Sequence, residues 1–351
     1  MNNFRLLPLA LCIIGAPSYA LDQGEYRLNG FGTLGITHMG GASDAKGYGI
    51  EGQTTDSWRG DQLSKLGGQF SYGLTDDLSA TVQAVVRARE DTWKTEVTWA
   101  YLAYEVNEQL TVRAGRMRPN TFMYSETLDI GYSYPWLRLP DEVYAQMPLV
   151  NYDGVNAMYN VPLSFGTLGF QVSYGQSENQ KYYLGVLDDT ANLDAKELVT
   201  GAVTLGTSEF GSLNYSYTQI DAIIEDGPEY KSRFRSFGYQ YDNGTWLFNA
   251  EDTNRRYIGG IDDAFYIMAG RNIGDFTLHV TYAQWDKRDA GRISSWSYGL
   301  NYSLSSNITL KSEYKRVDTS GGQTDIFTPD FTVPERTLDG DIISVGVDFV
   351  F

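Results

Sequence analysis

The chain has one cysteine among its 351 residues, Cys12, and that cysteine lies in an N-terminal leader. Residues 1–20 carry one arginine, then an apolar stretch, then small residues at the positions read by signal peptidase. This is the pattern of a secretory signal peptide cut after Ala20. A lipoprotein would instead begin at Cys12, but the leucine before it is bulkier than such cut sites accept. The mature chain therefore lacks cysteine, which excludes disulfides and thiol chemistry from an exported protein.

Long apolar runs, basic residues and histidines are also scarce. No mature segment approaches the roughly twenty apolar residues of a membrane helix. The leader contains Arg5 and no acid, so 27 basic and 44 acidic residues become 26 and 44, a net charge of −18 that disfavours nucleic acid as a partner. The two histidines, His38 and His279, stand in no pattern with a nucleophile or metal ligands. We therefore expect no enzyme activity, no cofactor and no metal site.

Glycine and tyrosine are abundant, with 37 and 26 residues. An exported chain of this composition that has no membrane helix belongs to one of two classes. It is either a soluble periplasmic β-protein or a β-barrel that crosses a membrane.

Apolar and polar residues alternate in runs of about ten residues, the length of a tilted strand that crosses a bilayer. The last run, "DIISVGVDFVF", places five apolar residues on one face: Ile343, Val345, Val347, Phe349 and Phe351. A soluble sandwich also alternates, with its apolar face turned inward. Aromatic residues at the ends of the apolar faces, and connections that are alternately short and long, favour the membrane barrel.

Seven short turns and eight long connections divide the mature chain into sixteen segments. The predicted fold class is therefore all-β, a transmembrane antiparallel β-barrel of about sixteen strands, with residues 21–351 as a single domain. Two of the predicted strands are 167–176 and 197–206, joined by a long loop at 177–196. Residues 118–151 are the longest connection, and a surface loop of that length needs an explanation.

Several stretches together resemble the sixteen-stranded general porins of Gram-negative bacteria: the opening strand "YRLNGFGTLGIT", the unit "LTDDLSATVQAVVRARE", the connection after "VRAGRMRPN" and the terminal "VDFVF". The resemblance covers essentially the whole mature chain, although the third long loop lacks the short signature of the best-known enterobacterial members. It implies an outer-membrane location, a homotrimer, and contact with the lipid bilayer and lipopolysaccharide. It also implies folding by periplasmic chaperones and the barrel-assembly machinery, with Phe349 and Phe351 as the assembly signal.

In that family the third long loop folds into the lumen and narrows it, so the resemblance makes residues 118–151 a constriction loop. Arg87 and Arg89 share the polar face of their strand with Thr81, which directs them inward. Opposite charges across a constriction create a transverse field that selects polar solutes; alternatively, the same charges form salt bridges that hold the loop. The predicted constriction residues are Lys65, Arg87, Arg89, Arg113, Arg116, Arg118, Glu126, Asp129, Asp141 and Glu142.

The function expected from these features is a water-filled channel for passive diffusion of small hydrophilic solutes and ions. Acidic runs in the outer loops suggest a weak cation preference, and divalent cations would bridge them to lipopolysaccharide phosphates. The main alternative is a solute-specific channel, for sugars or organic acids, in which Tyr124, Trp136 and Tyr144 form an aromatic slide. An enzyme or a receptor anchored by the barrel is a further alternative.

Overall fold

A computed structural model of the chain describes residues 21–41, 57–89, 92–147, 149–184, 189–225, 227–257, 260–288, 291–320 and 339–351. A short helix, α1 (Asp141–Tyr144), and a 3-10 turn, Gly131–Ser133, lie among these residues. None of the helices in this part of the chain is long and apolar enough to cross a membrane. The same residues form sixteen β-strands: β1 (Tyr26–Gly41), β2 (Lys65–Gly73), β3 (Leu78–Arg89), β4 (Thr92–Glu105), β5 (Leu110–Met117), β6 (Tyr152–Leu163), β7 (Gly166–Leu184), β8 (Asp189–Thr207), β9 (Gly211–Ile224), β10 (Tyr230–Asp242), β11 (Trp246–Tyr257), β12 (Gly260–Ile273), β13 (Phe276–Lys287), β14 (Gly291–Ser305), β15 (Ile308–Ser320) and β16 (Gly340–Val350).

The strands form one closed barrel. Each strand pairs antiparallel with the next, and β1 closes the sheet against β16, from Phe31 opposite Val350 to Gly41 opposite Gly340. A closed sheet has no edge strand with unpaired backbone groups, which is the condition for a β-structure to stand in lipid. The prediction of a sixteen-stranded antiparallel barrel is confirmed.

The two faces of the wall differ in polarity. On β1 the side chains of Leu34 and Ile36 are 62% and 47% exposed and point outward, whereas Thr33 and Thr37 are buried on the inner face. Its neighbour β16 repeats the pattern, with Val345 exposed outside and Ser344 buried inside. A water-soluble sandwich buries its apolar face, so this inverted arrangement matches a wall that faces lipid.

The C-terminal phenylalanines pack across the closing seam. Phe349 and Phe351 stack on each other, with ring centroids 6.3 Å apart. Their rings lie over Gly32 and Gly30 of β1 so closely that a Cβ at either glycine would collide with them. Both positions therefore need glycine for the close approach of a neighbouring ring. The role of these phenylalanines in assembly stays a prediction.

The wall is uneven in height. Strands β2 and β5 contain 9 and 8 residues, whereas β7 and β8 contain 19 each. Most of the loop predicted at 177–196 is therefore strand, and that expectation was wrong. Register shifts near Ser177 and between Ala195 and Glu197 break the period of two, but backbone pairing continues past them, so the uninterrupted sequence pattern ends before the strand does.

Candidate functional site

The candidate site is the segment of residues 118–151, which joins β5 to β6 and is described except for residue 148. It contacts inward-facing side chains on strands far along the sequence. The backbone N–H of Met123 donates to Glu251 of β11 (2.9 Å), and the indole N–H of Trp136 donates to Thr281 of β13 (2.8 Å). Tyr132 donates to the carbonyl oxygen of Ser306, in the turn between β14 and β15 (2.7 Å).

Asp129 is the first anchor of the segment. Its carboxylate pairs with Arg118 (2.7 Å) and with Arg87 of β3 (2.8 Å), and its side chain is only 2% exposed. Burial opposes ionisation, but the charges of Arg118, Arg87 and Lys65 outweigh it and hold the pKa of Asp129 well below its ordinary value. The structure therefore brings three predicted constriction residues, Lys65, Arg87 and Arg118, around the carboxylate of a fourth, Asp129.

Lys311 of β15 is a second anchor, which the sequence analysis missed. Its ammonium donates to the carbonyl oxygens of Gly131 (2.8 Å), Tyr134 (2.6 Å) and Trp136 (3.0 Å). It also pairs with Asp348 of β16 at 2.7 Å, and the two side chains are 3% and 1% exposed. All three ammonium hydrogens have acceptors, which a buried charge requires.

Lys315 lies on the same face of β15 as Lys311, and it holds the short helix. It pairs with Glu142 (3.1 Å) and Asp141 (3.4 Å), both on α1. Burial raises the pKa of Asp141, whereas at Glu142 burial is outweighed by the charge of Lys315, and the pKa is lowered. Two predicted acids thus converge on a lysine that the sequence analysis did not single out.

Glu251 of β11 is a third missed residue, and it holds the segment by hydrogen bonds alone. Its carboxylate accepts from the backbone of Met123 (2.9 Å), from Tyr144 (2.7 Å) and from Ser236 (2.6 Å). No basic side chain of the described residues lies within ion-pair distance of it. Donors of this kind stabilise a buried carboxylate and fix its position.

The aromatic residues of the segment are packed against the wall. Tyr124 and Trp136 are each about 1% exposed, and their rings meet edge to face with centroids 6.1 Å apart. Trp136 also meets the ring of Tyr266 on β12 (5.4 Å). A ring buried on both faces cannot stack on a passing solute, so these two residues do not form the aromatic slide of the solute-specific alternative.

Arg113 and Glu126 form a separate pair on the inner face. Their charged groups are 3.1 Å apart, and Arg113 also donates to Asn156 (3.1 Å). The guanidinium lies 5.8 Å and 5.4 Å from the ring centroids of Trp99 and Tyr101. The Glu126 side chain is 41% exposed, so it is the most open acid of the predicted set.

One predicted residue, Arg116, lies apart from these pairs. Arg116 points outward, where it pairs with the exposed Asp153 of β6 at 2.8 Å. The structure therefore does not bring Arg116 together with the others. Arg89 is the last residue of β3.

Direct contacts support the salt-bridge interpretation of the paired charges. Asp129, Asp141 and Glu142 lie between 2.7 and 3.4 Å from their cationic partners and are buried. Charges that face each other across open water would be much further apart and exposed. These three acids are therefore engaged in contacts between the segment and the wall, and among the four predicted acids Glu126 has the most exposed side chain.

Comparison with known proteins gives one family match. A family model described as Gram-negative porin matches residues 9–322, and no curated protein matches the chain. The solved anion-selective porin from Comamonas acidovorans is similar over 94% of this chain and 100% of its own, with 14% identity and a TM-score of 0.61. The outer membrane channel DcaP of Acinetobacter baumannii matches 94% and 98%, with 14% identity and a TM-score of 0.61. The trimer form of OmpT from Vibrio cholerae matches 94% and 100%, with 13% identity and a TM-score of 0.55.

Proposed function

Since this chain belongs to the Gram-negative porin family and forms an outer-membrane channel for passive diffusion, we propose that the channel is a general one for small hydrophilic solutes and ions. We further propose that residues 118–151 fold into the lumen and set the width of the passage. The observation that carries this proposal is the reach of the segment, from Glu251 on β11 to Ser306 in the turn after β14. Because its partners lie on widely separated strands of the inner face, the segment crosses the lumen and narrows it.

A general channel fits the site better than a solute-specific one. A specific sugar channel needs exposed aromatic faces or convergent polar groups along its path. The buried rings of Tyr124 and Trp136 supply neither, because the segment uses them for packing. The pairing of Arg87, Arg113 and Arg118 with carboxylates also supports a weak cation preference, since their positive charge is compensated.

A planar-bilayer titration tests the general channel. We expect discrete conductance steps, and we expect a neutral disaccharide or a small dicarboxylate, raised stepwise, to lower the current only as bulk conductivity falls. Saturable block by either solute at low concentration would contradict the proposal and favour the specific channel. The reversal potential in a salt gradient checks selectivity separately: clear anion selectivity would contradict the weak cation preference.

The Asp129 anchor predicts resistance to acid. Because the pKa of Asp129 is lower in the folded protein than in the unfolded chain, its stabilisation is fully present above the ordinary value of 3.8 and is lost only as the pH falls through the lower folded value. The anchor should therefore remain charged at about pH 4.5. We expect the difference in thermal stability between the wild type and D129N to be the same at that pH as at neutral pH. A smaller difference at about pH 4.5 would contradict the assignment.

We propose that the protein is a homotrimer in which the subunits contact each other at β2–β5, where the wall is lowest. A strand of 8 residues such as β5, tilted by about 45°, spans roughly 19 Å, less than the apolar band of about 25 Å. Protein contact at β2–β5 would cover that mismatch, and a trimer form is known for the similar OmpT of Vibrio cholerae. Cross-linking between cysteines placed on the outer faces of β3 and β5 tests this contact.

We assign the channel no catalytic activity. His279 packs beside Trp136, with ring centroids 6.3 Å apart, and His38 lies beside Trp58 at 5.1 Å. Both rings are engaged in packing, which supports this assignment. Hydrolysis of phospholipids or peptides by the purified protein would contradict it.

A further inference from the structure

Strand β1 reaches further down than β16 at the seam where the barrel closes. Its ladder with β16 ends at Phe31, and a last pair of backbone hydrogen bonds joins Gly30 to Phe351. On its other side, the ladder with β2 continues down to Tyr26. Residues 26–29 therefore pair with β2 but, among the described residues, with no strand on the side of β16. This stretch, the free edge, lies below the closed part of the wall.

The alternation of antiparallel hydrogen bonds shows which backbone groups are unpaired. Gly30 directs both its N–H and its C=O toward β16, and residues of the same parity direct theirs to the same side. Tyr26 and Leu28 thus present two N–H and two C=O groups on the free edge, and no backbone group of the described residues pairs with them there. A row of such groups is a template for an added strand.

The surroundings of the free edge leave it accessible. The side chains of Tyr26 and Leu28 are 68% and 69% exposed. The described residues that precede β1 turn away from the edge, because the backbone N–H of Gly24 donates to the carbonyl oxygen of Gly73 at the end of β2 (2.9 Å). An added strand would therefore gain apolar contact with Leu28 as well as backbone hydrogen bonds.

The charge of the same rim indicates what kind of strand fits. Seven exposed carboxylates lie in residues 21–25 and in the short turns at this end of the barrel: Asp22, Glu25, Asp76, Asp77, Glu108, Glu209 and Asp275. These stretches contain no lysine or arginine. Among the described residues, no cationic side chain lies within ion-pair distance of any of the seven. Asp22 and Glu25 directly precede the free edge, so charge complementarity favours a basic strand there.

We propose that the free edge of β1 is a docking site for a basic, extended segment of a periplasmic protein, which adds to the sheet as a further strand. The proposal rests on the outer-membrane orientation of the barrel, in which the short turns face the periplasm. Backbone hydrogen bonds to Tyr26 and Leu28 supply affinity, and the carboxylates beside them select lysine and arginine side chains. The added strand lengthens the wall downward without entering the lumen.

The probe is a short synthetic peptide in which lysine alternates with valine. It carries a fluorophore and is titrated with the wild-type protein in a neutral detergent, with anisotropy as the signal and empty micelles as the background. We expect saturable binding, and binding at least about tenfold weaker when N-methyl groups block both edges of the peptide. Glutamate in place of lysine should abolish binding. Absence of saturable binding by the lysine peptide, or equal binding of either altered peptide, would overturn the proposal.

Variants of the free edge test the same contacts from the side of the protein. Leu28→Pro removes one N–H from the edge, and Leu28→Ala keeps it; a proline is tolerated where the N–H of an edge strand is unpaired. L28P should bind the peptide roughly tenfold more weakly than the wild type, and L28A should stay close to the wild type. D22N/E25Q should also weaken binding, since it neutralises the two carboxylates beside the edge.

E209Q/D275N is the matched control, because it neutralises two carboxylates of the same rim in the turns after β8 and β12, away from the edge. It should leave binding of the peptide unchanged. Equal losses in the two double variants would overturn the proposal, since the attraction would then belong to the whole acidic rim, and so would equal binding by L28P and L28A. If L28P did not fold, the N-methylated peptide would still test the hydrogen bonds on the wild-type protein. Unchanged conductance of the variants keeps the channel function separate from this result.

Discussion

Replacement of Lys311 by methionine should release the 118–151 segment and destabilise the barrel by roughly 3 kcal/mol or more. The change removes the donor that holds three closely spaced parts of the segment, at Gly131, Tyr134 and Trp136. It also leaves the carboxylate of Asp348 buried without its cation. Methionine keeps the volume of the lysine stem, so the loss reflects the charge and its hydrogen bonds rather than a cavity.

Two measurements report this effect. When samples are heated to increasing temperatures before gel electrophoresis, the band of the folded protein should disappear at a lower temperature than for the wild type. Single-channel currents should become larger and noisier because the segment no longer has a fixed position. Lys231 is the matched control, since it pairs with Asp221 at 3.1 Å but its side chain is 46% exposed. Exposed pairs contribute little, so K231M should behave like the wild type in both measurements. Equal behaviour of K311M and K231M would refute the anchoring role of Lys311.

Replacement of Asp129 by asparagine should shift the selectivity of the channel toward anions. The amide keeps the size of the side chain but leaves Arg87 and Arg118 without their common carboxylate. Both guanidinium groups are largely buried, so their positive potential extends into the passage with little screening. The loss of the pair should also cost about 3 kcal/mol of stability.

The reversal potential in a salt gradient measures this shift. D153N is the control: it changes the net charge of the chain by the same amount, but Asp153 lies on the outer face in an exposed pair with Arg116. We expect D153N to leave the reversal potential unchanged and D129N to move it in the direction of anion preference. If both variants gave the wild-type value, the Asp129 cluster would have no electrostatic effect on permeation.

The fold was accessible from the sequence because alternation is a local signal. Each strand must present apolar residues to lipid at every second position, and turn residues mark where it stops, so strand number and closure follow from the pattern. The lengths of β7 and β8 could not be predicted from the sequence. Register shifts near Ser177 and between Ala195 and Glu197 interrupt the period of two, and the backbone pairing of residues such as Lys181 with Asn192 continues beyond them.

The site was accessible only in part. The face of each strand residue follows from its parity, which correctly groups Arg87 and Arg113 on the inner face. The same parity places Arg116 with Val112 on the outer face, so this signal was present in the sequence. What the sequence does not contain is the choice of partners: Lys311 meets carbonyl oxygens 175 or more positions away, and no local pattern specifies that contact.

Parity also marks Lys311 and Lys315 as inward residues, since Leu310 and Tyr314 point to lipid. A buried lysine on the inner face of a barrel needs acceptors, and a long connection rich in backbone carbonyls is a ready source of them. Examination of every inward charge, rather than those beside the long connection, would have found these two anchors.

The contacts of Asp348 couple two events in the maturation of the protein. Its carboxylate accepts from Thr33 of β1 (2.5 Å), across a separation of 315 residues, and it also pairs with Lys311 (2.7 Å). The seam can form only after the last strand has been delivered, since loops of such length close late and slowly. The lysine that contacts the segment thus obtains its counter-ion in the same step that closes the barrel.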